Sequence, residues 1–222
     1  MIKLVDNIDR EEVVWRYMDL FKFVSMLENN ALFFTKASIF DDDFEGSLPK
    51  INHANRKHLY NEKYNRVSEL NKALKEFTCV SCWHLDTHES EAMWKLYSDN
   101  KMGIAIKTTM GNLIDCFKAV EDDIYLAKVR YVDYENDYIN IDEDRELYYY
   151  KRDIYESENE IRLVHSKNED MVYGHFIECD LNKMINEVYV LGHDIEVIRE
   201  AVLKGSYSFE VKSSILNKIP VF

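Results

Sequence analysis

The stretch Tyr155–Val164, YESENEIRLV, decides how this chain is read. Glu156, Glu158, Glu160 and Arg162 occupy every second position, while Tyr155, Ser157, Asn159, Ile161 and Leu163 fill the opposite phase. Side chains of a strand alternate between the two faces of its sheet. Read as a strand, the stretch lines three carboxylates and a guanidinium along one face. Such a face is either a wet surface or the floor of a site.

The sequence before it alternates between strand and helix signals. VVWRYM, residues 13–18, is rich in β-branched and aromatic side chains and reads as a short strand. DLFKFVSMLENN follows with Leu20, Phe23, Val24 and Leu27 at helical spacing, Asp19 as N-cap, and Asn29 and Asn30 at the end. ALFFTKASIF is a second strand that ends in a turn, and DDDFEGSLP is a loop punctuated by Gly46 and Pro49. Residues 52–77 are polar and helical, with Leu59, Val67, Leu70 and Leu74 on a partial stripe, as one long helix or a helix pair. FTCVSCW is a strand. A helix is expected over 86–98, started by Asp86 with Glu89 three residues on, burying Ala92, Met93, Leu96 and Tyr97, and stopped at DNKMG with Gly103 in a left-handed turn.

The remainder reads as strand IAIKT, helix GNLIDCFKAV, one strand IYLAKVRYVDY, an acidic loop, a helix LYYYKRDIY, and strands YGHFIECDL and INEVYVLG. Helix DIEVIREAVLKG, ended by Gly205, and strand YSFEVKSSIL close the chain. Seven or eight strands and four to six helices, unevenly interleaved, argue against a doubly wound sheet and for an α+β fold. The expectation is one domain over 1–222: a mixed, mostly antiparallel sheet with flanking helices and a helical insertion at about 52–76.

Composition narrows the function classes. A chain of 222 residues that is 46% hydrophobic can bury a sizeable core. The net charge of −13 disfavours nucleic-acid binding, because the basic residues of 52–75 are mixed with Glu62, Glu69 and Glu76. No apolar run is long enough to span a bilayer, and the N-terminal MIKLVDNIDREEVVW is too acidic for a secretory signal, so a cytoplasmic location is expected. Cys79 and Cys82 have CxxC spacing with His84 and His88 nearby, which admits a zinc reading. No second CxxC or HxxxH follows, so a buried strand is preferred and no metal ligands are assigned. FDDDFEG, with Asp41, Asp42 and Asp43, offers carboxylates to a divalent cation, but its spacing is not that of a calcium loop; a turn in which aspartates cap backbone N–H groups, anchored by Phe40 and Phe44, is preferred. No Gly-rich phosphate loop, nucleophile elbow or His-Glu-x-x-His helix is present.

Five segments together resemble the bacterial family known as domain of unknown function 2971: 15–46, EAMWKLYSDNKMGIAI, AKVRYVDY, YESENEIRLV and INEVYVLG. The matching positions are Phe40, Asp42, Phe44 and Glu45; Met93, Trp94, Tyr97, Asp99 and Gly103; and Glu158, Glu160 and Arg162. The family's Asn and Pro in the acidic turn are Asp41 and Asp43 here, its Ser-His after the tryptophan is Lys95-Leu96, and its Trp before the Glu-x-Glu strand is Tyr155. The resemblance implies a bacterial protein whose relatives often lie near defence genes.

The order Arg16, then Thr35 and Ser38, then Glu158-x-Glu160 is similar to that of ADP-ribosyltransferases, a fold-level analogy. In that reading NAD is the substrate. Arg16 grips its pyrophosphate, Thr35 and Ser38 order the site, Glu160 stabilises the ribosyl cation and Glu158 positions the acceptor. Trp94 and Tyr97 are candidate stacking partners for a base or the nicotinamide ring, and Arg162 completes the binding set. The alternative is a non-catalytic sensor or partner-binding domain, motivated by the missing catalytic motifs and the 15 tyrosines, with a symmetric dimer as one form.

Overall fold

Ile161 and Leu163 alternate with Glu160, Arg162 and Val164 along β9 (Glu160–Ser166), and both phases of this strand are buried. The computed structural model that shows this describes residues 2–60, 64–98, 102–167, 169 and 171–220, without the side chains of 57–60, 64–68 and 70. β9 lies between β4 (Thr78–Leu85) and β6 (Ile124–Lys128), antiparallel to both. Glu160 stands opposite His84 and Arg162 opposite Cys82, so the polar phase of β9 shares a face with Cys82 and His84. That face is covered rather than wet.

The strand expected over 155–164 begins only at Glu160. Asp153–Glu158 is a 3-10 turn that ends at Asn159 in the left-handed conformation, φ 39°. Asparagine tolerates that conformation, and the polar run before it favours a turn over a ladder. Asn159 is tied down by its Nδ2, which donates to the Leu85 carbonyl at 2.6 Å. Glu156 therefore falls outside the strand, while Glu158 reaches the covered face from the last turn.

The strand order is β1 (Ile2–Leu4), β6, β9, β4, β2 (Val13–Met18), β5 (Gly103–Thr109), β11 (Glu187–Leu191), β12 (Glu210–Ser213). β3 (Ala31–Lys36) also joins β4, and β10 (Gly174–Glu178) lies beyond it. Within this sheet only β1–β6 and β11–β12 pair in parallel, so it is mixed and mostly antiparallel and the fold is α+β. The sheet forks along β4. Leu85 and His84 pair with β2, Val80 and Cys79 pair with β3, and Ser81–Trp83 pair with neither.

One face of the sheet carries the main core. Trp83, Ile161, Leu163, Ile104 and Ile106 meet α1 (Leu20–Asn29), α5 (Met110–Asp115), α6 (Leu181–Met184) and α7 (Ile195–Lys204) through Phe23, Met26, Leu113, Met184 and Val202. Each fully buried side chain of this kind stabilises the fold by about 1.5–3 kcal/mol. Asp19 caps α1 as its sequence predicts, its carboxylate accepting from the Lys22 N–H at 2.8 Å, and Asn30 closes the helix at φ 46°. The other face is covered in two places. α4 (Glu91–Tyr97) packs Met93 and Trp94 on Trp15 and Tyr17. A 3-10 segment, Asp144–Tyr149, packs Tyr148 and Tyr149 on Val80 and Val164.

Twelve strands and seven α-helices form among the described residues, more than the sequence predicts: β1 and α6 answer to no expected element, and two long segments take another form. IYLAKVRYVDY splits into β6 and β7 (Arg130–Val132). LYYYKRDIY is not a helix: β8 (Tyr150–Arg152) lies between two 3-10 turns and pairs in parallel with β7. The insertion is a helix pair, α2 (Lys50–Tyr60) and α3 (Tyr64–Phe77); of its expected stripe, Leu74 is half-buried and the side chains of Leu59, Val67 and Leu70 lie outside the described residues. α4 is shorter than expected and is capped by Ser90, not Asp86. Ala92, Leu96 and Tyr97 are exposed on it. Gly103 opens β5 instead of adopting a left-handed turn; residues 99–101, the rest of the expected stop, lie outside the described residues.

Candidate functional site

Five charged side chains meet beneath the covered face of β9. Glu160 and Arg162 come from β9, Glu158 from the preceding turn, Lys151 from β8 and Glu45 from the acidic turn after β3. Arg162, 1% exposed, uses its whole guanidinium. Nε donates to Glu160 Oε2 at 2.7 Å, Nη1 and Nη2 grip Glu45 at 2.6 and 2.8 Å, and Nη1 also donates to the Tyr148 carbonyl at 2.8 Å. Such two-pronged pairing is what a planar guanidinium does best. Lys151 Nζ donates to Glu160 Oε1 at 2.6 Å and to Glu158 Oε2 at 2.9 Å, and lies 3.6 Å from Glu45. Both oxygens of Glu160, itself 5% exposed, are thus in ion pairs.

Three carboxyls face two cations here, and in a dry space a fully ionised set would carry an uncompensated negative charge. The groups divide accordingly. Burial pushes the Glu158 carboxyl up, and its hydrogen bond and charge contact with Glu160 add to that. Burial also acts against ionised Glu160, but the charges of Arg162 and Lys151 outweigh it and hold the carboxyl far below the ordinary range. Burial lowers Arg162 and Lys151, and the Glu160 carboxylate more than restores them. The pair therefore consists of one fixed carboxylate, Glu160, and one neighbour, Glu158, that keeps its proton to higher pH.

Tyr97 connects this cluster to the surface. It is 43% exposed, and its hydroxyl donates to Glu158 Oε2 at 3.2 Å. Tyr131 accepts the Glu160 N–H at 2.8 Å, and His84 Nδ1 lies 2.6 Å from the Glu158 carbonyl. The Lys151 ammonium stands 4.6 Å from the centre of the Tyr155 ring.

The acidic turn is built as a capped turn. Asp42 Oδ1 accepts the Phe44 N–H at 3.1 Å, and the Asp42 carboxylate binds Arg152 at 2.9 and 3.2 Å. Gly46, at φ 66°, leaves room for the Tyr148 ring, which a Cβ there would meet at 2.6 Å. The turn is anchored at one of its two expected points: Phe40, half-buried, packs on the cluster of Val80, Tyr148 and Val164, whereas Phe44 is 40% exposed. Cys79 and Cys82 are three apart in a strand and so point to opposite faces, which rules out a shared metal; all four cysteines are free thiols.

The remaining sequence candidates are scattered. Trp15 pairs with His84, which pairs with Glu160, so these three share a face and Arg16, next along β2, leaves from the other. Its guanidinium fills the fork, donating to Ser81 Oγ and, at 3.0 Å, to the Phe33 carbonyl, 5.8 Å from the Trp83 ring centre. Among the described residues no carboxylate pairs with Arg16. Burial lowers it to about 10, with Cys82 and Tyr97 close enough to act on its charge. Thr35 lies in the ladder opposite Gly174 and Val80. Ser38 is exposed and bonds Glu76. Neither contacts the cluster. Trp94 is 1% exposed, edge-on to Tyr17 at 5.0 Å, and its Nε1 donates to Glu89; it is a core residue, not a stacking platform. Asp99 lies outside the described residues.

Sequence reading placed neither Glu45, picked only as a matching position, nor Lys151 in the site. The signal for Lys151 is a lone ammonium in an aromatic run, YYYKRD, which suits a buried strand better than a helix. No protein-family model matches this chain, and no curated protein matches it.

Proposed function

We propose that the chain is a nucleotide-using enzyme of the ADP-ribosyltransferase kind, with NAD as substrate. The observation that carries this reading is the Glu158–Glu160 pair, whose protonation is pushed apart by its surroundings. Two neighbouring carboxyls with divided pKa values are a common basis for divided catalytic roles. Glu160 supplies the fixed negative charge that an oxocarbenium-like ribosyl centre requires. Glu158, linked to the surface by Tyr97, orients the acceptor and in its ionised form takes the acceptor's proton. Arg16 takes the pyrophosphate: its half-buried guanidinium has no carboxylate partner among the described residues, and its planar fork matches phosphate oxygens.

The test is nicotinamide release from NAD by wild type, Glu160→Gln, Glu158→Gln and Arg16→Gln, each checked for native circular dichroism. Loss of a carboxylate that stabilises charge in the transition state lowers turnover by about 10² or more. Wild-type rate rises with pH through the raised Glu158 value, and Glu158→Gln removes that rise. If wild type binds no NAD and releases no nicotinamide, the enzyme reading falls.

A second reading has its own observation. Both Glu160 oxygens are occupied by Lys151 and Arg162, and two cavities found among the described residues are lined by other side chains. That arrangement suits a non-catalytic sensor in which the cluster holds the turn, β8 and β9 together. NAD binding without turnover, lost in Arg16→Gln, is the outcome that selects it.

A further inference from the structure

A cavity of about 400 Å³ opens between the acidic turn and the helix pair α2–α3. Its volume is in the range of small-molecule sites. Arg56 from α2 and Lys72 and Lys75 from α3 line it, together with Asp43 and with Lys50, which is paired to Glu135 at 2.8 Å. Among the described residues no carboxylate lies within ion-pair distance of Arg56, Lys72 or Lys75. Lys75 donates to the Asp43 carbonyl at 3.3 Å.

Three cations with no ion-paired acid, turned into one hollow, are unusual in a chain of net charge −13. Lys72 and Lys75 stand three residues apart on one helix, a like-charge spacing that weakens it. Burial, and the nearby Lys72 charge, push the Lys75 ammonium below its ordinary value, although Glu45, Asp43 and Asp42 act in its favour. An anion in the cavity would relieve that repulsion. Phe44 and Tyr134, edge to face with centroids 5.4 Å apart, add an aromatic wall.

We infer that this cavity binds the phosphate groups of a small phosphorylated ligand, with Arg56, Lys72 and Lys75 as the phosphate-holding residues. An arginine fork and two ammonium groups are the standard means of holding several phosphate oxygens. The site is separate from the Arg16 fork and does not rest on the nucleotide reading given above.

The probe is inorganic tripolyphosphate, titrated calorimetrically into the full chain, with adenosine triphosphate in parallel. The expected result is saturable binding by wild type, weakened by about tenfold or more in Arg56→Gln/Lys72→Gln, in line with loss of two charge-assisted contacts. Glutamine keeps helix propensity, so the double variant retains its fold, checked by circular dichroism. Lys204→Gln, on α7, is the control for general attraction. Tighter binding of adenosine triphosphate than of tripolyphosphate supports the site and adds a base contact at Phe44. Absence of wild-type binding, or equal weakening by Lys204→Gln, overturns the inference.

Discussion

Arg162 is the residue on which the buried cluster turns, because it hydrogen-bonds Glu160 and grips both oxygens of Glu45. Removing one partner of a buried ion pair leaves an uncompensated charge, a cost of about 3–5 kcal/mol. Arg162→Met, which keeps the volume and loses the charge, should lower urea stability by that order; a loss below about 1 kcal/mol would mean that the cluster is not dry. Glu158 makes a prediction with a sign. A carboxyl raised on folding confers stability that is present below its ordinary value of about 4.3 and lost as pH rises through the folded value. Glu158→Gln cannot ionise, so its melting temperature should gain on wild type between mildly acidic and mildly alkaline pH. Parallel melting curves across that interval would contradict the assignment. Glu160 has the opposite sign: its stability is present above the ordinary value and is lost on acidification.

At the scale of elements, α4 decides whether Tyr97 reaches Glu158. Its C-terminal end is pressed onto the start of β5, where a Cβ on Gly103 would meet Ser98 Cβ at 2.5 Å and the Trp94 ring at 3.2 Å. Neither neighbour is the loose end of a flexible side chain. Gly103→Ala should therefore destabilise by about 1–3 kcal/mol, as overpacking does, and a shift in Trp94 emission should report the displaced helix. Unchanged stability and emission would show that the end of α4 is freer than the contact implies. The 3-10 turn over Asp153–Glu158 matters for the same reason as α4. It, not a strand, delivers Glu158 beside Lys151.

Across the whole molecule, β9 is the most enclosed strand, with β6 and β4 on its edges, the main core on one face and the ion cluster on the other. Amides of Ile161–Val164 should open only with global unfolding, while those of the edge strands β1 and β12 exchange by local opening. Native-state hydrogen exchange measures this directly. Exchange of β9 as fast as that of β12 would show that the polar face admits water.

Local sequence determined much of this protein. VVWRYM and the Asp19-capped helix fall where their residues place them, because periodicity and capping act over a few neighbours. The α+β class followed from the uneven order of such elements, and Glu158, Glu160 and Arg162 were legible by their spacing. What tertiary structure alone decided is where those charges lie. The alternation left a wet face and the floor of a site both open; Lys151 from the neighbouring strand β8 and Glu45, distant in sequence, cover that face and pair its charges. Arg16 and Glu160 were joined by their order in the chain, but strand register sets them on opposite faces. Trp94 and Tyr97 are three residues apart on one helix, and only packing buries the first and exposes the second. The physical reason is the same each time. Local propensity acts within a turn or a strand, whereas burial and charge pairing are set by side chains that meet only when the sheet closes.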